Sequence, residues 1–152
     1  MTPNLDALVL KLLTAISAIA GYPLPDRQPE IAFVPQSYLE ERACDRPCAV
    51  RGWFPPGQVV YLDERLDPEN DTWERSILVH ELVHYLQQEE GSFTAAGSCE
   101  AWMKREAEAY EVQYRWLVTQ RVSPRLLRRI SRPFLRLGCR DRPDDARPQS
   151  LE

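Results

Sequence analysis

The two histidines of the chain, His80 and His84, stand four residues apart with Glu81 between them, in Ile77-Leu78-Val79-His80-Glu81-Leu82-Val83-His84-Tyr85-Leu86. On a helix this spacing puts both imidazoles on one face, a turn apart, where they can bind one Zn²⁺. Glu81 then lies where its carboxylate can take a proton from a water at the metal without being a ligand. The segment is otherwise apolar nearly all round, so the helix is expected to be buried. Two imidazoles and a carboxylate in such surroundings cost several kcal/mol unless they are partnered. A metal and its water satisfy all three. Core histidines held by ordinary hydrogen bonds are the plainer alternative.

A catalytic zinc takes three protein ligands. With no histidine left over, the third must be a carboxylate or a cysteine. The next predicted helix offers Glu100, Glu106, Glu108 and Glu111. Glu106 shares a stripe with Trp102, Met103, Ala109, Tyr110 and Leu117, where an acid is costly unless something positive meets it. Glu108, with Lys104 and Arg105 a turn before it, and Glu111, with Arg115 a turn after it, read as a solvated, ion-paired face. Glu106 is the expected ligand and Glu108 its main rival. Cys99 precedes the helix and is better explained by a disulfide.

With these residues the chain resembles a compact gluzincin-type zinc metallopeptidase. In that group an HExxH helix is followed by a second helix whose Glu ligand sits in an ExxxD-like or ExxAN-like context. The matching stretch here is Glu106-Ala107-Glu108-Ala109-Tyr110, twenty-two residues after His84, and the resemblance covers about residues 57–120. It implies His80, His84 and Glu106 as zinc ligands, Glu81 as general base, and a core of a hairpin and two active-site helices. Position 110 departs from the pattern. It is Tyr where such families often place Asp or Asn to orient the first histidine. The Tyr110 phenol could hydrogen-bond a ligand or, like Tyr114, stabilise an oxyanion, or it is simply a core tyrosine.

The expected activity is zinc-dependent hydrolysis of a peptide or protein substrate. The alternatives are a zinc-stabilised binding or regulatory module without turnover, and a metal-free helical interaction protein.

Around the motif, 152 residues with 43% hydrophobic and 28% charged side chains read as one globular domain with a real core. The expected class is α+β, a minimal zincin-like domain with a small sheet or hairpin packed on the HExxH helix. The domain is expected to span residues 1–139. Residues 140–152 read as a polar tail ending in a vector-derived Leu151-Glu152. Leu5, Leu8, Val9, Leu12, Ile16 and Ala20 follow a helical period behind a Thr2-Pro3 start, which favours a structural helix over a signal peptide. Ile31–Val34 reads as a strand and Tyr38–Ala43 as a short helix. Ala49–Phe54 and Gln58–Leu62 read as a hairpin around Pro55-Pro56-Gly57. Gln58–Leu62 is either a core strand or a sheet edge able to take a peptide by strand addition. Asp71 with Glu74 starts a helix to about Glu90. A second runs from Cys99 to about Arg121, and Ser123-Pro124 starts a third ending near Pro133.

Residues 1–120 hold 10 basic and 19 acidic side chains, and residues 121–152 hold 9 and 4. Arg121, Arg125, Arg129, Arg132 and Arg136 fall at helical spacing without interleaved aromatics. They read as a solvated helix face, so no nucleic-acid partner is expected. No run of 18 apolar residues occurs, so no membrane span is expected, and a monomer is. Cys44 pairing with Cys48 and Cys99 with Cys139 is the simplest disulfide scheme. A four-cysteine zinc site and reduced thiols are the alternatives. The even cysteine count points to an exported or periplasmic setting, and the missing leader to the cytoplasm.

Overall fold

A computed structural model of the chain describes residues 2–44, 49–91 and 98–130. They form α1 (Pro3–Ala20), β1 (Glu30–Val34), α2 (Gln36–Ala43), β2 (Gly52–Trp53), β3 (Val59–Asp63), α3 (Thr72–Glu89), α4 (Cys99–Thr119) and α5 (Pro124–Leu127). The protein is a small α+β domain with a three-stranded sheet.

α1 starts as its sequence suggests. The Thr2 hydroxyl accepts from the Leu5 N–H, Pro3 opens the first turn, and Gly21 closes the helix at φ +82°, a left-handed conformation natural to glycine. By length and composition α1 is apolar enough to cross a membrane, which a test for unbroken apolar runs overlooks. In the fold, Leu5, Val9, Leu12, Leu13 and Ile16 are buried in the core against α3 and α4.

The sheet order is β1-β3-β2. β2 and β3 form the expected antiparallel hairpin, with Gly52 opposite Leu62, although β2 is confined to two residues of the predicted Ala49–Phe54. β3 also pairs in parallel with β1, from Glu30–Val59 to Val34–Asp63. Gln58–Leu62 is therefore the core strand of its two readings, since both sides of β3 are paired. Side chains alternate across the pleat. Ile31, Val60 and Leu62 join the main core with α1, α3 and α4, while Val34, Trp53 and Tyr61 pack with Leu39, Ala43 and Val50 on the α2 side.

α3 and α4 are capped by Asp71, which accepts from the Glu74 N–H, and by Ser98, which accepts from the Ala101 N–H. Glu74 does not reach back to the Asp71 N–H as in a capping box. It accepts from the Asp67 N–H at 2.6 Å and tethers the preceding turn. The third predicted helix is shorter than its pattern, with α5 ending at Leu127. Arg132, Arg136 and the tail from 140 lie outside the described residues. Cys44 and Cys99 are each engaged in a disulfide. Cys48 and Cys139 lie outside the described residues, and the predicted pairing with them.

Candidate metal centre

Twelve consecutive residues of α3, Ser76 to Gln87, are buried. The helix packs against α1 and α4 and against β2 and β3 of the sheet. Ordinary amphipathic helices keep a wet face. α3 keeps none over three turns, so its polar side chains must find partners inside the protein.

α4 supplies them. Its buried stripe of Trp102, Arg105, Glu106, Ala109, Tyr110, Val112, Gln113, Trp116 and Leu117 lies against α3. Glu106 stands opposite both histidines: its Oε2 is 3.0 Å from Nε2 of His80 and 2.8 Å from Nε2 of His84. The three residues are buried, with their ligand atoms all within 4.8 Å of one another. Ligands about 2.0–2.1 Å from a tetrahedral zinc lie roughly 3.3 Å apart, so this donor set of two imidazoles and one carboxylate fits such an ion with a small retreat of the carboxylate. Among the described residues the cluster has three members, which leaves room for a fourth, non-protein ligand.

Without a metal the cluster is held by charge. Burial opposes ionisation of both His84 and Glu106, and their mutual attraction outweighs it. His84 is raised to about 9, with Glu106 as the opposing charge. Glu106 is lowered to about 2 by His84 and His80.

The outward nitrogens of the rings meet amides. His80 Nδ1 is 3.1 Å from Gln113 Oε1, and His84 Nδ1 is 2.8 Å from Gln87 Oε1. Gln113 donates onward to Ser76 Oγ, and Gln87 to the Arg105 carbonyl and to Glu108. Tyr22 donates to the same Glu108 oxygen. Glu108 is therefore engaged elsewhere and is not among the three residues of the His80-His84-Glu106 cluster. Nor is it wholly the solvated acid its spacing suggested, since Gln87 and Tyr22 donate to it and it is partly buried.

Glu81 is 1% exposed and lies under the hairpin. A Cβ on Gly52 would come within 2.9 Å of its Cγ and 3.0 Å of its Oε1, so β2 can cover this carboxylate only because residue 52 is glycine. Tyr110 is buried with its ring edge-on to His80, centroids 4.4 Å apart, whereas Tyr114 is exposed on α4. Gln87, Gln113, Ser76 and Gly52 were not singled out from sequence. An amide in a helix carries no chemical signature of its own, and Gly52 reads only as one position of the predicted Ala49–Phe54 strand.

Fold and site thus define a small α+β domain with a buried His-His-Glu cluster between two helices. Residues 2–142 match the family described as Domain of unknown function (DUF6647), and the chain belongs to it. No curated protein and no solved structure matches it.

Proposed function

We propose that the protein is a zinc-dependent peptidase in which His80, His84 and Glu106 hold the ion and Glu81 is the general base. The observation that carries this reading is the convergence of two imidazole Nε2 atoms on one carboxylate oxygen in a three-member cluster. Zinc at such a site supplies Lewis acidity to a peptide carbonyl and to an attacking water. Glu81, between the two ligands on the same helix, takes the proton of the attacking water and returns it to the leaving amine. Tyr110 packs against His80, whereas Tyr114 is exposed. The Tyr110 phenol is the candidate donor to the oxyanion.

A second reading is a zinc-stabilised binding or regulatory module without turnover. The burial of Glu81, His80 and Glu106, at 1%, 0% and 2% exposure, favours it. One experiment separates the two. Zinc-loaded wild type and Glu81→Gln are assayed on a quenched fluorescent peptide library, with zinc content measured on the same samples. The peptidase reading expects cleavage by the wild type, and its loss in Glu81→Gln at unchanged zinc content. Equal cleavage by both removes Glu81 from the reaction. No cleavage by a fully loaded wild type supports the module.

A further inference from the structure

Behind each histidine runs a hydrogen-bond chain whose far end can only accept. Behind His80, the Ser76 hydroxyl donates its one proton to the Trp73 carbonyl at 2.6 Å. Ser76 Oγ therefore faces Gln113 as an acceptor, and the Gln113 amide must present its NH₂ there at 3.0 Å. Its carbonyl oxygen is left facing His80 Nδ1. Behind His84, Gln87 Nε2 lies 3.0 Å from the Arg105 carbonyl and 3.0 Å from a Glu108 oxygen, both acceptors. The Gln87 carbonyl oxygen is left facing His84 Nδ1 at 2.8 Å. Turning either amide over would set its oxygen against the acceptor oxygens at its far end. Each ring must therefore carry a proton on Nδ1.

We propose that Gln87 and Gln113 are positioning residues for the metal centre, each holding one imidazole in the Nδ1–H form so that its Nε2 lone pair points at the cation position beside Glu106. This rests on the metal reading above and deepens it. A neutral imidazole has one lone pair, and the opposite tautomer would aim an N–H at the cation. The duty commonly met by a carboxylate or a backbone carbonyl behind a ligating histidine falls here to two neutral amides. The two chains differ in their ends. The Gln113 chain closes inside the core, while the Gln87 chain reaches Glu108 and Tyr22 at the wall of a surface cavity of about 310 Å³.

The test uses the full chain and zinc alone. Zinc affinity is measured by competition with a chromophoric chelator, and long-range ¹H–¹⁵N spectra of the zinc-loaded protein report which ring nitrogen carries the proton. Gln87→Leu and Gln113→Leu are each expected to weaken zinc binding roughly 10–100-fold. Gln113→Glu keeps the acceptor behind His80, with the Ser76 hydroxyl able to turn and donate to its second oxygen, and is expected to stay near wild type. The wild-type spectra are expected to show Nδ1–H on both rings, with the preference lost behind each Leu. Folded Leu variants that bind zinc as the wild type does, or wild-type rings protonated on Nε2, overturn the proposal. If Gln113→Leu does not fold, Gln87→Leu, whose amide borders the cavity, decides alone. A wild type that binds no zinc sinks the metal reading and this proposal with it, whereas Leu variants that match a zinc-binding wild type overturn the amide assignment alone.

Discussion

α3 and α4 lie side by side and both feed the cluster, but their surroundings differ. α3 is enclosed from Ser76 to Gln87, and carries His80, Glu81 and His84 within that enclosure. α4 buries one stripe and exposes Lys104, Glu111, Tyr114, Arg115 and Val118 on the other side. His80, His84 and Gln87 of α3 turn toward α4, and α4 answers them nearly one for one: Glu106 for the two Nε2 atoms, Gln113 for His80 Nδ1, and the Arg105 carbonyl and Glu108 for Gln87. The lesson is one of dependence. An enclosed helix can present reactive groups cheaply only when its neighbour's polar residues fall at matching turns.

The largest test of this dependence is Glu106→Ala. It leaves two imidazoles buried without their acid, and is expected to abolish zinc binding. It is also expected to cost the zinc-free protein about 3–5 kcal/mol in urea denaturation. Glu108→Gln should do neither. Equal losses in the two variants would mean that α4 answers α3 through the wrong acid.

The zinc-free protein should also show the pair in its pH dependence. The His84 contribution is full below its ordinary value of 6.5 and is lost as pH rises through about 9. The Glu106 contribution is full above its ordinary 4.5 and is lost as pH falls through about 2. Stability measured by denaturant titration across pH is therefore expected to be greatest between these ordinary values and to fall on both sides. A profile in which Glu106→Ala has the same shape as the wild type would break the assignment.

Next in size is Gly52→Ala, which tests the sheet side of α3. A Cβ at 2.9 Å from the Glu81 side chain forces a shift costing about 1–3 kcal/mol. Peptide cleavage is expected to drop while zinc affinity stays, because His80, His84 and Glu106 meet between α3 and α4. Loss of zinc binding in this variant would show that the sheet and α4 sides are not separable. The smallest effect belongs to Asp71→Ala, which removes the α3 N-cap. It should lower the unfolding free energy by about 1 kcal/mol and leave zinc affinity unchanged.

Much of α3 was legible because its information is local. A helical period, a cap and two histidines at i and i+4 need no knowledge of the rest of the chain. Glu106 was legible by a weaker argument, as an acid on an apolar stripe, and the structure brings it to both imidazoles. The same local argument misplaced Glu108. Its i−4 and i−3 neighbours suggested a surface ion pair, but Tyr22, eighty-six residues away, and Gln87 hold it instead. The parallel pairing of β1 with β3 was equally out of reach, because a crossover through α2 leaves no short-range mark.

By itself, then, the sequence determined which residues could ligate and on which helix two of them stand, since side-chain chemistry and helical spacing are properties of a short segment. Only the tertiary structure decided which acid meets them, which amides orient them and why residue 52 must be glycine. Those are choices among groups distant in sequence, and they are settled by which surfaces must be buried against each other.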